Sequence, residues 1–137
     1  MNPFQSAFQR LKQVDSQYQA IRLLLEDRIS ARLADFAERD AEQDLERTYA
    51  MRLLAEFEGA LTDLAPYLSD PIVFDTRSGL YSKIHRIADK MLMDPRLVSQ
   101  VDQNLRILRN DLLHGRSALF EFNELYMLGK QFLRNCH

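Results

Sequence analysis

Residues 106–116 read RILRNDLLHGR and place Arg109, Asn110, Asp111 and His114 within six positions, wedged among leucines. An imidazole titrates near neutral pH and can pass protons in both directions. A guanidinium offers paired N–H donors to an anion, and an amide can orient either group. The same residues could instead be the charged turn of an ordinary amphipathic helix, with Asp111 pairing to a neighbouring base. The other reactive side chains carry less. His85, in SKIHRIADK, has basic neighbours and no nearby carboxylate to orient it, and reads as a surface residue; His137 is terminal. Cys136 is the lone cysteine, without a disulfide partner or metal-ligand spacing, and reads as a solvated, incidental thiol. No Ser–His–Asp order, metal-binding His/Glu constellation or phosphate-cradling glycine loop is found, so no metal or cofactor is expected.

Geometry constrains how the motif could work. With Leu105 as zero on a helical wheel at about 100° per residue, Val101, Leu108 and Leu112 cluster on the core side. His114 falls at about 180°, with Asn110 about 40° from it and Ile107 on the same outward side. Arg109 lies roughly 140° from His114 on an unbroken helix, too far around for both to grip one atom. Two copies related by a two-fold axis would bring both side chains to a shared site; alternatively, Gly115 loosens the helix and re-aims His114.

The elements that must position these residues are helical throughout. Phe4, Phe8, Leu11, Val14, Tyr18, Ile21 and Leu25 step by three or four along a first helix. The charged text from about Arg28 to Asp44 leaves only Leu33, Phe36 and Ala37 as an apolar stripe, a solvated extension or exposed connection. Tyr49, Leu53, Phe57, Ala60, Leu61, Leu64 and Leu68 mark a strong second helix that Pro66 ends or kinks. SDPIVFDTRSG (69–79) is the main loop, its IVF either a short strand or, in better keeping with the helical text around it, an apolar plug on the core. Leu80, Ile84, Ile87 and Met91 give a shorter helix. Asp94 and Pro95 then form a cap and first-turn proline opening the helix that runs through Val98 and Val101 to the motif. A last helix is expected over about Ala118 to Leu133, with Leu119, Phe122, Leu125, Tyr126 and Phe132 facing in. The fold class is all-α, an up-and-down bundle of about five helices.

Bulk properties narrow the function. The chain has 137 residues, 46% hydrophobic and 28% charged, with a formal net charge of −2. It is long enough for one domain with a proper core and lacks the broad basic footprint of a protein that coats nucleic acid by charge. A nucleic acid would have to be held at a local site. The N-terminus lacks the basic-then-apolar pattern of a signal peptide, and no run approaches the 18 or so apolar residues that span a bilayer. A soluble, cytoplasmic protein is expected.

RNDLLHG, with Arg109, Asn110 and then His114 after NDLL, resembles the signature of HEPN domains. These are small all-α domains, many of them metal-independent endoribonucleases. A second stretch, YAMRLLAEFEGALTDL (49–64), resembles the HEPN helix in which an acid followed by a small residue interrupts an apolar run; the acid here is Glu58, before Gly59. Glu58 sits about 100° from Phe57, at the edge of the core stripe. A carboxylate there needs a partner, and Arg109 is the natural one. The resemblance covers roughly residues 20–133, leaving the N-terminal 20 as a helix expected at the domain's periphery. It implies a homodimer with the motif in a shared cleft, RNA as substrate, Arg109, Asn110 and His114 as catalytic residues, and Glu58 in support. It further implies a place in toxin–antitoxin or phage-defence systems, with an antitoxin protein as partner. Arg116 stands where subfamilies paired with a nucleotidyltransferase antitoxin often carry Tyr, which argues against control by Tyr modification. The rival readings are a non-catalytic dimeric adaptor of the same fold and a helical scaffold whose Arg–His pair is an interface ion-pair site.

Overall fold

A computed structural model describes residues 2–30, 36–116 and 118–137, with side chains described outside 29–42. Among them every regular element is helical. Helix α1 spans Pro3–Ser30 and α2 spans Phe36–Leu64. The two run antiparallel: Arg10 meets Glu56 and Asp63, whereas Gln17, two turns on, meets Arg52. The stripe expected at Leu33, Phe36 and Ala37 lies outside the described side chains.

The α2 stripe from Tyr49 to Leu68 is buried throughout. The helix ends at Leu64, where Pro66 starts a 3-10 turn, Ala65–Tyr67. The loop after it is irregular, and its IVF works as a plug: Ile72 and Phe74 are buried while Val73 between them points out. Helix α3, Leu80–Met91, buries Leu80, Ile84 and Ile87, with Met91 packed at the core's edge. Asp94 caps α4, Pro95–Val101, accepting a 2.9 Å hydrogen bond from the Arg96 N–H. After a π-helical turn, Asp102–Ile107, the rod continues as α5, Leu108–Leu113.

That π turn re-phases the rod. A π turn closes i→i+5 bonds, so it advances less than 100° per residue. On a uniform wheel Val98 shares the core face with Leu105; instead Leu97 is buried and Val98 sits at the edge. Beyond the turn, Leu108 and Leu112 face the core and Ile107 faces out, as expected.

The last helix, α6, spans Phe122–Arg134 and starts later than the sequence pattern suggests. Leu119, assigned to its apolar face, precedes it and is wholly exposed. Glu121 offers no side-chain cap; instead Glu46 of α2 accepts the Phe122 N–H at 3.2 Å. Helix α6 packs antiparallel to α1. Tyr18 stacks on Phe122, and Phe4 meets His137 at the far end. At Gly129 a Cβ would press to 3.1 Å from Leu11 and 3.6 Å from Phe57, so the glycine allows a close approach of three helices.

The first 20 residues are not peripheral. Ala7, Leu11, Val14 and Tyr18 belong to the same buried cluster as α2 and α6, and Leu11 is fully buried. Further along, α1 leaves the core, exposing Ile21, Leu23 and Leu24. Among the described residues no helix is long and apolar enough to cross a membrane.

Candidate functional site

Helix α5 ends inside the motif. His114 is its C-cap, and Gly115 follows in the left-handed region at φ +67°. The Arg116 N–H reaches back to the Asp111 carbonyl at 2.8 Å and the Gly115 N–H to Leu112 at 3.2 Å, the pairing of a Schellman stop. The HG of the motif is therefore a helix terminator, and it leaves the His114 side chain exposed. Arg47 of α2 donates to the Leu112 carbonyl at 3.2 Å, adding a cation where the helix dipole is negative. The neighbouring Glu46 sits at the positive N-terminus of α6. Consecutive α2 residues thus hold both ends of the connection from the motif to α6.

Glu58 is the hub of the buried side of the site. Its Oε2 lies 3.1 Å from Arg109 Nη2, and its Oε1 accepts from Lys83 Nζ at the same distance. One carboxylate therefore ties α2, α3 and α5 together, with two cations on it. Lys83 is buried, whereas Arg109 keeps part of its guanidinium towards solvent. Gly59 serves the opposite side of α2: the space its Cβ would fill is occupied by the Arg10 guanidinium, which bonds Glu56 at 2.7 Å and Asp63 at 2.5 Å. The acid–Gly pair thus separates two ionic networks on one helix.

The structure brings Arg109 to Glu58 and leaves His114 at the open end of the same short helix. Asn110 is half-buried, and its carbonyl accepts the His114 N–H at 3.1 Å, fixing the backbone that carries the imidazole. Asp111 pairs with Arg116 at 3.3 Å, on an exposed surface where such a pair contributes little. Around the motif Lys83, Arg106, Arg109 and Arg116 form ion pairs with Glu58, Asp102 and Asp111.

Compared with protein-family models, curated proteins and solved structures, the chain gives no match.

Two readings of single residues need correction. His85 does have a carboxylate partner. Asp102 of the π turn lies 3.4 Å from its Nε2, while Arg106 grips the same carboxylate at 2.6 and 3.1 Å. Tyr81 stacks on the imidazole at 4.1 Å between ring centres. The hydrogen bond from Arg106 holds the Asp102 carboxyl below the usual carboxylate range, with His85 adding to the effect. Cys136 is buried rather than solvated: its thiol donates to the Phe132 carbonyl at 3.4 Å, and burial pushes its pKa up to about 12. Lys83, the second cation on Glu58, was invisible to sequence reasoning because it lies 25 residues from its partner in a helix of its own. Among the described residues no three His, Cys, Asp or Glu side chains converge as metal ligands would.

Proposed function

We propose that this chain is a metal-independent endoribonuclease of the HEPN type, acting as a homodimer in a toxin–antitoxin or phage-defence system of the cytoplasm. The observation that carries the reading is the division of labour on α5, where Glu58 holds Arg109 while the helix stop exposes His114. RNA supplies its own nucleophile. His114 takes the proton of the 2′-hydroxyl as that oxygen attacks phosphorus, or returns a proton to the departing 5′-oxygen. Arg109 binds the phosphate and the charge that grows on its oxygens. Asn110 orients the imidazole or a phosphate oxygen, and Glu58 with Lys83 keeps Arg109 from swinging away. The products are a 2′,3′-cyclic phosphate and a 5′-hydroxyl.

The test is digestion of single-stranded RNA in EDTA by wild type and His114→Ala. Loss of proton transfer should slow cleavage by about 10²–10⁴-fold; equal rates in the two proteins, or intact RNA with both, would sink the reading. A second reading, the non-catalytic partner-binding module, is favoured by the acidic cavity that the motif rod lines together with α6. Intact RNA together with a stable complex would select it.

A further inference from the structure

A cavity of about 550 Å³ lies between the π–α5 rod and α6 and is also lined by the segment before Phe122. Its floor is made of leucines from both helices. Ile107, Leu119 and Met127 line it and are exposed, which places three large apolar side chains around one groove. Single exposed apolar residues are ordinary, but a cluster rimmed by polar groups marks a contact surface. Among the described residues the charges at the rim are all of one sign: Asp111, Glu121 and Glu124 line the cavity, and no Lys, Arg or His does. Asp111 is shared with Arg116; Glu121 and Glu124 pair with no basic side chain among the described residues.

A nucleic acid backbone would be repelled here, and a purely apolar ligand would leave the rim carboxylates unanswered. We propose that the groove binds an amphipathic helical segment of a partner protein, its apolar stripe on Ile107, Leu119 and Met127 and its Lys or Arg residues against Glu121 and Glu124. Two helical walls with an apolar floor suit the helix-in-groove mode, in which anchors one turn apart fill successive depressions. Opposite charges at the rim add on-rate and choice of partner. The groove lies across the rod from Arg109 but shares its outward side with His114; peptide binding is read without RNA and so is tested apart from cleavage.

The test uses two synthetic helical peptides of Leu with one Trp, one carrying Lys at the polar positions and the other Glu. The protein contains no Trp, so indole fluorescence reports the peptide alone. Each peptide is titrated into wild type, the double variant Glu121→Lys/Glu124→Lys, and Met127→Ser, all checked for helicity. The Lys peptide should bind wild type at least about tenfold more tightly than the charge-reversed variant, and the Glu peptide should reverse that order. Met127→Ser should weaken both. The proposal is overturned if neither peptide binds, or if both bind in the same order to the two proteins. It is also overturned if sedimentation shows a wild-type dimer that Met127→Ser breaks, since a second copy then covers the groove.

Discussion

Glu58→Gln keeps the shape of the hub and removes its charge, which lies 3.1 Å from both Lys83 Nζ and Arg109 Nη2. At an effective dielectric of about 20, each pair at that separation has a gross attraction of about 5 kcal/mol. Desolvation of the three groups offsets most of it. The remainder is unequally shared, because side-chain exposure is 11% for Lys83, 19% for Glu58 and 30% for Arg109. Arg109 can turn to water when its partner is lost, whereas Lys83 is left as a nearly buried ammonium facing an amide. One stranded charge of this kind sets the expected loss at about 2–3 kcal/mol. For a chain of this length that corresponds to a fall in Tm of roughly 8 °C. Adding Lys83→Met removes the stranded ammonium and should restore about 1–2 kcal/mol despite being a second substitution. Urea unfolding followed by helical circular dichroism measures all the variants of this cycle. A loss under about 0.5 kcal/mol for Glu58→Gln, the range of ordinary surface changes, refutes the reasoning. So does strict additivity of the two substitutions.

Three further outcomes follow from individual residues. Gly115→Ala should cost about 1 kcal/mol by chemical denaturation, because φ is +67° there while nothing crowds the missing Cβ, so the penalty is conformational. Asp102 has its carboxyl held below the usual range by Arg106, so its stabilising effect is full above the ordinary carboxylate pKa and fades as pH falls through the lower, folded value. Asp102→Asn should therefore destabilise the protein at pH 7 and flatten the acid limb of its stability curve; an unchanged limb would exclude this group as a source of acid sensitivity. Cys136 should react with a thiol reagent only as fast as the chain unfolds. With its pKa raised to about 12 in the fold, stability should fall as pH rises above the ordinary thiol value near 9, by up to about 1.4 kcal/mol per unit.

What the sequence made legible was whatever depends on neighbours along the chain. The α2 stripe, the Asp94–Pro95 start and the Gly115 stop are local signals, each tied to one backbone requirement. The Glu58–Arg109 contact was legible for a different reason: a carboxylate at the edge of an apolar stripe needs a partner, and the resemblance pointed to the Arg of the motif. Reading failed where partners come from afar. His85 gets its carboxylate from 17 residues away, and the start of α6 is capped by Glu46 from 76 residues away. No local signal marks either, which is why Leu119 was assigned to a helix that begins after it. Cys136 was misread because it lies beyond the regular part of α6, where periodicity stops but packing continues.

The π turn at 102–107 amounts to one residue inserted into an otherwise regular rod, and it makes the chain unusually sensitive to length there. Deleting a single residue would satisfy the local backbone with an ordinary α-helix. Every side chain on one half of the rod would then be rotated by about 100° against the other. With Leu97 kept in the core, Arg109 leaves Glu58; with Arg109 kept in place, Leu97 leaves the core. Among homologues, gaps at this turn should therefore be rarer than substitutions in it, and sequences are best aligned as two frames that meet at Asp102.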